Sequence, residues 1–424
     1  MGTLLLFIIL LVLFFISVPI AIALGLASTL FLVLVADIPL ISLPQRLFAS
    51  LDSFPLMAAP FFILAGKLME HGGISERLVD FAKSLVGQMK GGLAHVAIIS
   101  CMFFAALSGS AAATTAAIGA ILIPSMVKAG YDRNFATAIH SAAGTTGIII
   151  PPSVPLVLYG VSAGVSVSGL FIAGILPGIL IGVSLMVLAF IITTIKGYGS
   201  DLEKANVKNI WNSFKRAFLA LIMPVIILGG IYGGIFTPTE ASVVAVVYGF
   251  IVGAFVYKQI KVKQLREILV SSVVTTSVIL FIISTAGLFG MVLTRENVPQ
   301  SVASFISSFD LSPIIILLII NLLLLVVGTF METIASIIIL TPILLPIAVS
   351  AGLDPIHFGI IMIVNLSIGL ITPPVGVSLF IGAQVGGTKY EALVKAIIPF
   401  LLMLIVNVLI ITFIPSISLG LLNK

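Results

Sequence analysis

Most of this chain is a succession of apolar runs, many reaching the roughly 20 residues that carry a helix across a hydrocarbon core. Only 8% of its residues are charged and 60% are apolar, against about 25% charged in soluble domains. Such a chain cannot remain in water. Period-two alternation is absent, so the spans read as helices and not as barrel strands. The net charge of +5 comes with neither a basic tail nor interleaved basic and aromatic residues, which argues against a nucleic-acid partner. The single cysteine, Cys101, cannot form an internal disulfide and reads as a small packing residue. The first run, 3–35, lacks a basic leader and is too long for a signal sequence, so it reads as retained. As one helix it would be about 50 Å long. It is either one steeply tilted span or a helix interrupted at Ser17-Val18-Pro19.

A repeat lies inside this apolar sequence. At an offset of 222 residues, ILIPSMVKAGYD (121–132) aligns with ILLPIAVSAGLD (343–354), pairing Pro124 with Pro346, Gly130 with Gly352 and Asp132 with Asp354. The same offset pairs Gly147 with Gly369, Pro151-Pro152 with Pro373-Pro374, and Gly160 with Gly382. Chance matches between apolar stretches do not align two Pro-Pro pairs without a gap. Amphipathic segments agree: Leu78, Phe81, Ala82 and Leu85 share a helical face, as do Val302, Phe305, Ile306 and Phe309. Each segment reads as an interfacial helix.

The expected organisation is an N-terminal scaffold span (1–54), a first repeat (55–196), a central scaffold (197–267) and a second repeat (268–424). The first repeat holds an interfacial helix (75–90), a re-entrant hairpin (92–129) and a broken helix (134–163); the second holds their counterparts at 297–309, 313–350 and 355–385, then a last span at 389–414. Hairpin tips at membrane depth are tolerated only where they are buried in protein or line a cavity. The central segment carries a stripe of Val207, Ile210, Trp211 and Phe214 among Lys204, Lys208, Lys215 and Arg216, read as a cytoplasmic interfacial helix before two spans. This scheme puts 17 of the 20 Lys and Arg on one face, leaving Arg46, Arg295 and Lys424 on the other. The positive-inside rule makes the first face cytoplasmic, with a cytoplasmic N-terminus and a periplasmic C-terminus. Five spans, an odd number, separate the repeats, so they are inverted and their hairpin tips can meet near the midplane.

The chemistry concentrates at four Gly/Ser/Thr clusters. The first tip, LSGSAAATT, holds Ser108, Gly109, Ser110, Thr114 and Thr115; the first break, AGTTGIIIPPS, holds Gly144, Thr145, Thr146, Gly147 and Ser153. The second tip, VGTFMETIAS, holds Gly328, Thr329, Glu332, Thr333 and Ser336; the second break, NLSIGLITPP, holds Asn365, Ser367, Gly369 and Thr372. Proline and glycine break the helices. The carbonyls this frees, with hydroxyls, suit Na⁺, and the new helix N-termini suit an anion. Small residues also serve simply to let helices pack closely. The cation candidates are Ser108, Gly109, Gly144, Thr145, Gly147, Gly328, Thr329, Asn365, Gly369 and Thr372; the substrate candidates are Ser108, Ser110, Ser153, Thr146 and Glu332. Glu332 is the one acidic residue expected at membrane depth, at a cost of roughly 2.5–3.5 kcal/mol on insertion scales. Its repeat mate is Ser110, an asymmetry expected to bear on substrate and not on ions. His140 reads as a hydrogen-bonded packing residue ahead of a proton relay.

Taken together, LDSFPLMAAPFFILAG (51–66), the LSGSAAATTAAIG tip, GIIIPPSVPLVLYG, GIFTPTEAS (234–242), GTFMETIASIIILTPILLP (328–346) and GLITPPVG resemble the large membrane subunit of tripartite ATP-independent periplasmic (TRAP) transporters. The resemblance runs through essentially the whole chain. It implies an all-α polytopic fold that imports an organic acid anion with Na⁺ through a bacterial inner membrane, by moving a hairpin-bearing domain against a scaffold. It also implies two partners, a small four-helix membrane subunit and a periplasmic substrate-binding protein. It favours sialic acid over C4-dicarboxylates, and puts Ser108, Ser153 and Glu332 near the substrate path. No GxxxxGK[ST] motif is present, so ATP hydrolysis is not expected of this chain.

The residues alone leave open a stand-alone Na⁺/carboxylate symporter of the same fold. An intramembrane serine hydrolase would need Ser108 or Ser110 to meet His140, and the second repeat has no matching pair. A channel would need a continuous pore, which two blunt hairpins do not suggest.

Overall fold

The computed structural model describes residues 2–35, 39, 41–198, 206–307 and 311–422. Among them there are helices and turns and no strand, and eight helices are long and apolar enough to cross a membrane. Lys204, Phe309, Asp310 and Lys424 fall outside the described residues.

The chain opens with α1 (Gly2–Phe15), α2 (Ile20–Leu34) and the short α3 (Ser42–Ala49). α4 (Ala58–His71) and α5 (Ile74–Val86) lead to the first hairpin, α6 (Gly92–Ser108) and α7 (Ala111–Lys128). The first broken helix is α8 (Arg133–Gly144), a 3-10 turn (Thr145–Ile148) and α9 (Val154–Ala163). α10 (Val167–Ile195), α11 (Val207–Tyr232), α12 (Pro238–Ile251) and α13 (Val262–Arg295) follow. The second half has α14 (Val298–Ser307), the hairpin α15 (Pro313–Phe330) and α16 (Thr333–Ser350), and the broken helix α17 (Pro355–Gly369) and α18 (Val377–Gly386). α19 (Tyr390–Phe413) and the single turn α20 (Ser416–Leu419) close the chain.

The residues matched at the 222-residue offset are the punctuation of this fold. Gly130 and Gly352 follow the ends of α7 and α16 with φ of 86° and 89°, a left-handed conformation that stops a helix and that glycine adopts freely. Two residues on, Asp132 Oδ1 accepts from Phe135 N at 2.9 Å, and Asp354 Oδ1 accepts from Ile356 N at 2.8 Å. Each aspartate thus caps the N-terminus of a broken helix. Pro151-Pro152 and Pro373-Pro374 are both cis and sit in the two breaks. α7 packs on α18 and α16 on α9, so each hairpin reaches across to the other repeat. α2, α4, α12 and α13 pack together beside this assembly, with α11 on α5 and α12.

Two expectations are corrected. First, of the two readings of the run 3–35, the structure shows the interruption at Ser17-Val18-Pro19 and not the single span. Phe7 lies 6.2 Å (ring centroids) from Phe289, and Gly25 lies against Thr285, one turn away on α13. A straight helix would separate Phe7 from Gly25 by about 27 Å. Instead α1 ends at Phe15 and the chain turns at Ser17, which has φ 62°, with Val18 N donating to Leu13 O at 3.0 Å, and it folds back so that α1 lies along α2. The run 3–35 thus forms two short helices packed on each other, where the expected cytoplasmic N-terminus had assumed one crossing. No Lys or Arg precedes Arg46, so the charge bias is unaffected. Second, Val207–Phe214 is not a separate interfacial helix but the start of the continuous α11, where Phe214 packs 5.8 Å from Phe81.

Candidate functional site

The first tip turns at Gly109, φ 59°, and Ser110 caps α7 by accepting from Ala113 N at 3.3 Å. Ser108 Oγ and Thr114 Oγ1 lie 2.9 Å apart, and Thr114 Oγ1 donates to Ser110 O at 2.8 Å. This knot of hydroxyls rests on the first break: a Cβ added to Gly147 would stand 2.5 Å from Ser110 O. Behind it, Ser153 Oγ donates to Ile148 O at 2.7 Å, Thr145 Oγ1 to Ala142 O at 2.7 Å and Thr146 Oγ1 to Ala143 O at 2.6 Å. Thr115 Oγ1, facing Gly144, is buried with no partner among the described residues.

The second tip is built the same way with one change. Glu332, aligned with Ser110 at the repeat offset, caps α16, and its carboxylate accepts from Ile334 N at 2.8 Å and Ala335 N at 3.1 Å. Gly328 and Gly369 meet backbone to backbone, leaving no room for a Cβ on Gly369. Thr329 O accepts from Gly376 N at 3.4 Å, and Thr372 Oγ1 donates to Ile368 O at 2.8 Å. Asn365 Nδ2 donates to Asn321 Oδ1 at 2.8 Å; Asn365 Oδ1 is buried and unpartnered among the described residues.

Both tips open into one cavity of about 570 Å³. It brings together Ser108, Gly109, Ser110 and Glu332 of the sequence candidates. The other ten candidates, Gly144, Thr145, Thr146, Gly147, Ser153, Gly328, Thr329, Asn365, Gly369 and Thr372, do not line it. Facing the tips across the cavity are Gly66, Lys67 and Glu70 of α4 and Thr275 and Ile279 of α13. The sequence reading missed these as site residues. Their only signal was that Lys67 and Glu70 are charges inside an otherwise apolar segment. Ser378 at the start of α18 also lines the cavity and was missed. His140 Nδ1 lies 2.6 Å from Ala136 O and its Nε2 has no partner among the described residues, so neither Ser108 nor Ser110 is hydrogen-bonded to it.

The two tips thus offer different ends to a ligand. Helix N-termini carry partial positive charge. Glu332 covers that of α16 with a carboxylate, whereas neutral Ser110 leaves that of α7 uncompensated. Beside each break lie buried oxygens without a partner among the described residues, Thr115 Oγ1 of α7 against Gly144 and Asn365 Oδ1 of α17 among them, of the hard-donor kind that suits a cation such as Na⁺.

Paired hairpins whose tips close on broken helices, with a cavity against a separate helical body, define a polytopic membrane transporter. A family profile described as "Tripartite ATP-independent periplasmic transporter, DctM component" matches residues 7–417, and the chain belongs to this family. It is 46% identical to the C4-dicarboxylate TRAP transporter large permease protein DctM of Pseudomonas aeruginosa, over 95% of this chain and 94% of that protein. It is equally 46% identical to the isethionate TRAP transporter permease protein DctMQ of Oleidesulfovibrio alaskensis, but spans only 63% of that protein's length. The sialic acid TRAP transporter large permease protein SiaM of Vibrio cholerae is 39% identical over 96% of this chain and 95% of its own. In fold, the chain resembles the crystal structure of the YdaH transporter of Alcanivorax borkumensis, with a TM-score of 0.67 and 17% identity over 99% of this chain and 98% of that one. The chain is thus a multi-pass membrane protein and the large permease subunit of a TRAP transporter.

Proposed function

We propose that this subunit imports a small organic acid anion together with Na⁺ across a bacterial inner membrane, beside a four-helix membrane subunit and fed by a periplasmic binding protein. The carrying observation is the cavity between the hairpin tips and the α4–α13 wall, where Ser108, Ser110 and the open N-terminus of α7 face Lys67. The anion binds at the α7 end, where donors and helix dipole favour negative charge. Glu332 stands across from it and repels a second anion. Na⁺ binds behind the tips, where the breaks supply carbonyls and unpartnered oxygens such as Thr115 Oγ1 and Asn365 Oδ1 lie beside them. Filling both breaks fixes the tips, and the hairpin body then slides along the scaffold as an elevator. The cavity lies on the basic half of α13, beside Lys67 and Glu70, so this conformation opens inward. The relatives at 46% identity are named for isethionate and C4-dicarboxylates and the sialic acid relative stands at 39%, so the two smaller anions are the first substrates to try.

Uptake in proteoliposomes, with an inward Na⁺ gradient, tests this. The expected result is uptake of one of the three anions only when the small subunit, a binding protein and Na⁺ are all present. Uptake by this chain alone would favour a stand-alone symporter, and uptake independent of Na⁺ would overturn the coupling.

A further inference from the structure

A second cavity, of about 260 Å³, lies along α13 on the other side of the hairpin body. One wall is scaffold: Arg46 and Ser50 beside α13 residues Gly287 and Thr294. The other belongs to the hairpin assembly: Ser162 of α9 and Pro342 of α16. The first cavity meets α13 at Thr275 and Ile279, the second from Ile283 to Thr294. Their centres are thus about 17 Å apart on one rail. Arg46 is one of few cations on this face, and it lines the cavity. Its Nε donates to Gly287 O at 3.3 Å, two turns short of Arg295. α3 is held there by Ser284 Oγ donating to Leu47 O at 2.8 Å. Among the described residues Arg46 has no carboxylate partner, and its two Nη groups donate to nothing. A guanidinium in the wall of this cavity, without a carboxylate partner among the described residues and beside the hydroxyls of Ser50, Ser162 and Thr294, has the donor set for a carboxylate or sulfonate.

We propose that this second cavity is a receiving site on the outer face, in which Arg46 holds the anionic head of the substrate before the hairpin tips take it. This rests on the import reading above. Its walls come from both bodies, so a slide of the hairpin assembly by the spacing of the two cavities would bring the tips to the waiting anion.

The test needs no transport. Cys101 is the sole cysteine and is buried, so Ser162→Cys in a Cys101→Ala background gives one exposed thiol in the cavity. In purified, monodisperse protein, a maleimide labels it with and without isethionate, succinate or N-acetylneuraminate. We expect one of these anions to slow labelling, and Arg46→Gln to raise the concentration needed about 10- to 100-fold, the usual weight of a charge-assisted hydrogen bond; Arg46→Lys should recover part of it. Protection by none of the three, or equal protection in Arg46→Gln, overturns the site. Protection that depends on Arg46 in a protein that fails to take up any anion with Na⁺ would keep the site and overturn the import reading instead.

Discussion

Ser110 and Glu332 occupy one position in the two repeats and perform one structural task, capping the second arm of a hairpin, with opposite electrostatic results. Aspartate caps as well as serine does. Ser110→Asp should therefore keep the fold while placing a charge where the anion binds. The expected outcome is an unchanged melting temperature and a rise of about tenfold or more in the half-saturating substrate concentration; Ser110→Ala should reverse that pattern, with a loss of about 1 kcal/mol of stability and a smaller effect on half-saturation. At the second tip, Gly369→Ala puts a methyl into the Gly328 backbone. The tip cannot then close, and Na⁺-dependent uptake should vanish while purified protein stays monodisperse; wild-type Na⁺ dependence in this variant would remove the Gly328–Gly369 contact from the mechanism. These positions were legible in the sequence because they act on the backbone: Pro, Gly and a capping Asp or Ser carry the same meaning wherever they stand. Lys67, Glu70 and Thr275 were not legible as site residues, since nothing local marks which face of α4 or α13 will meet the tips.

At the scale of elements, the hairpins and broken helices were readable because the repeat gives each segment a partner to check against. The N-terminal run has no repeat partner. Ser17-Val18-Pro19 permits a kink or a reversal equally, and only the contacts of Phe7 and Gly25 with neighbouring turns of α13 decide for reversal. A protease site added before Met1 should accordingly be cut in spheroplasts and resist cutting in inverted vesicles; the opposite pattern would restore a single crossing. The continuity of α11 was hidden for a related reason. Its basic and aromatic start satisfies the pattern of a surface helix, and propensity sees no stop between Phe214 and the apolar stretch that follows.

For the whole molecule, both hairpin tips line one cavity, as the odd span count between the repeats, checked by the charge bias, led one to expect. The sequence-based division placed α4, α5 and α13 in the repeats, whereas they pack with the scaffold helices α2, α11 and α12, so the helical body beside the hairpins is assembled from both halves of the chain. Two bound Na⁺ with a monovalent anion would move net positive charge inward, and each charge gains about 2.3 kcal/mol per 100 mV. Uptake should then quicken when a potassium diffusion potential makes the vesicle interior negative. A rate indifferent to that potential would mean that cation and anion charges balance in each cycle.

The folded-back α1–α2 pair also sets a rule of parity. On the reading that α1, folded back on α2, begins on the periplasmic side, a four-helix partner that begins in the cytoplasm would return there after its fourth crossing and end on the side opposite to the start of α1. Two such chains can sit side by side as separate subunits, but they cannot be spliced end to end as they stand. Any single polypeptide that joins them in that order must contain one further apolar helix between them, a helix whose only duty is to carry the chain to the other side.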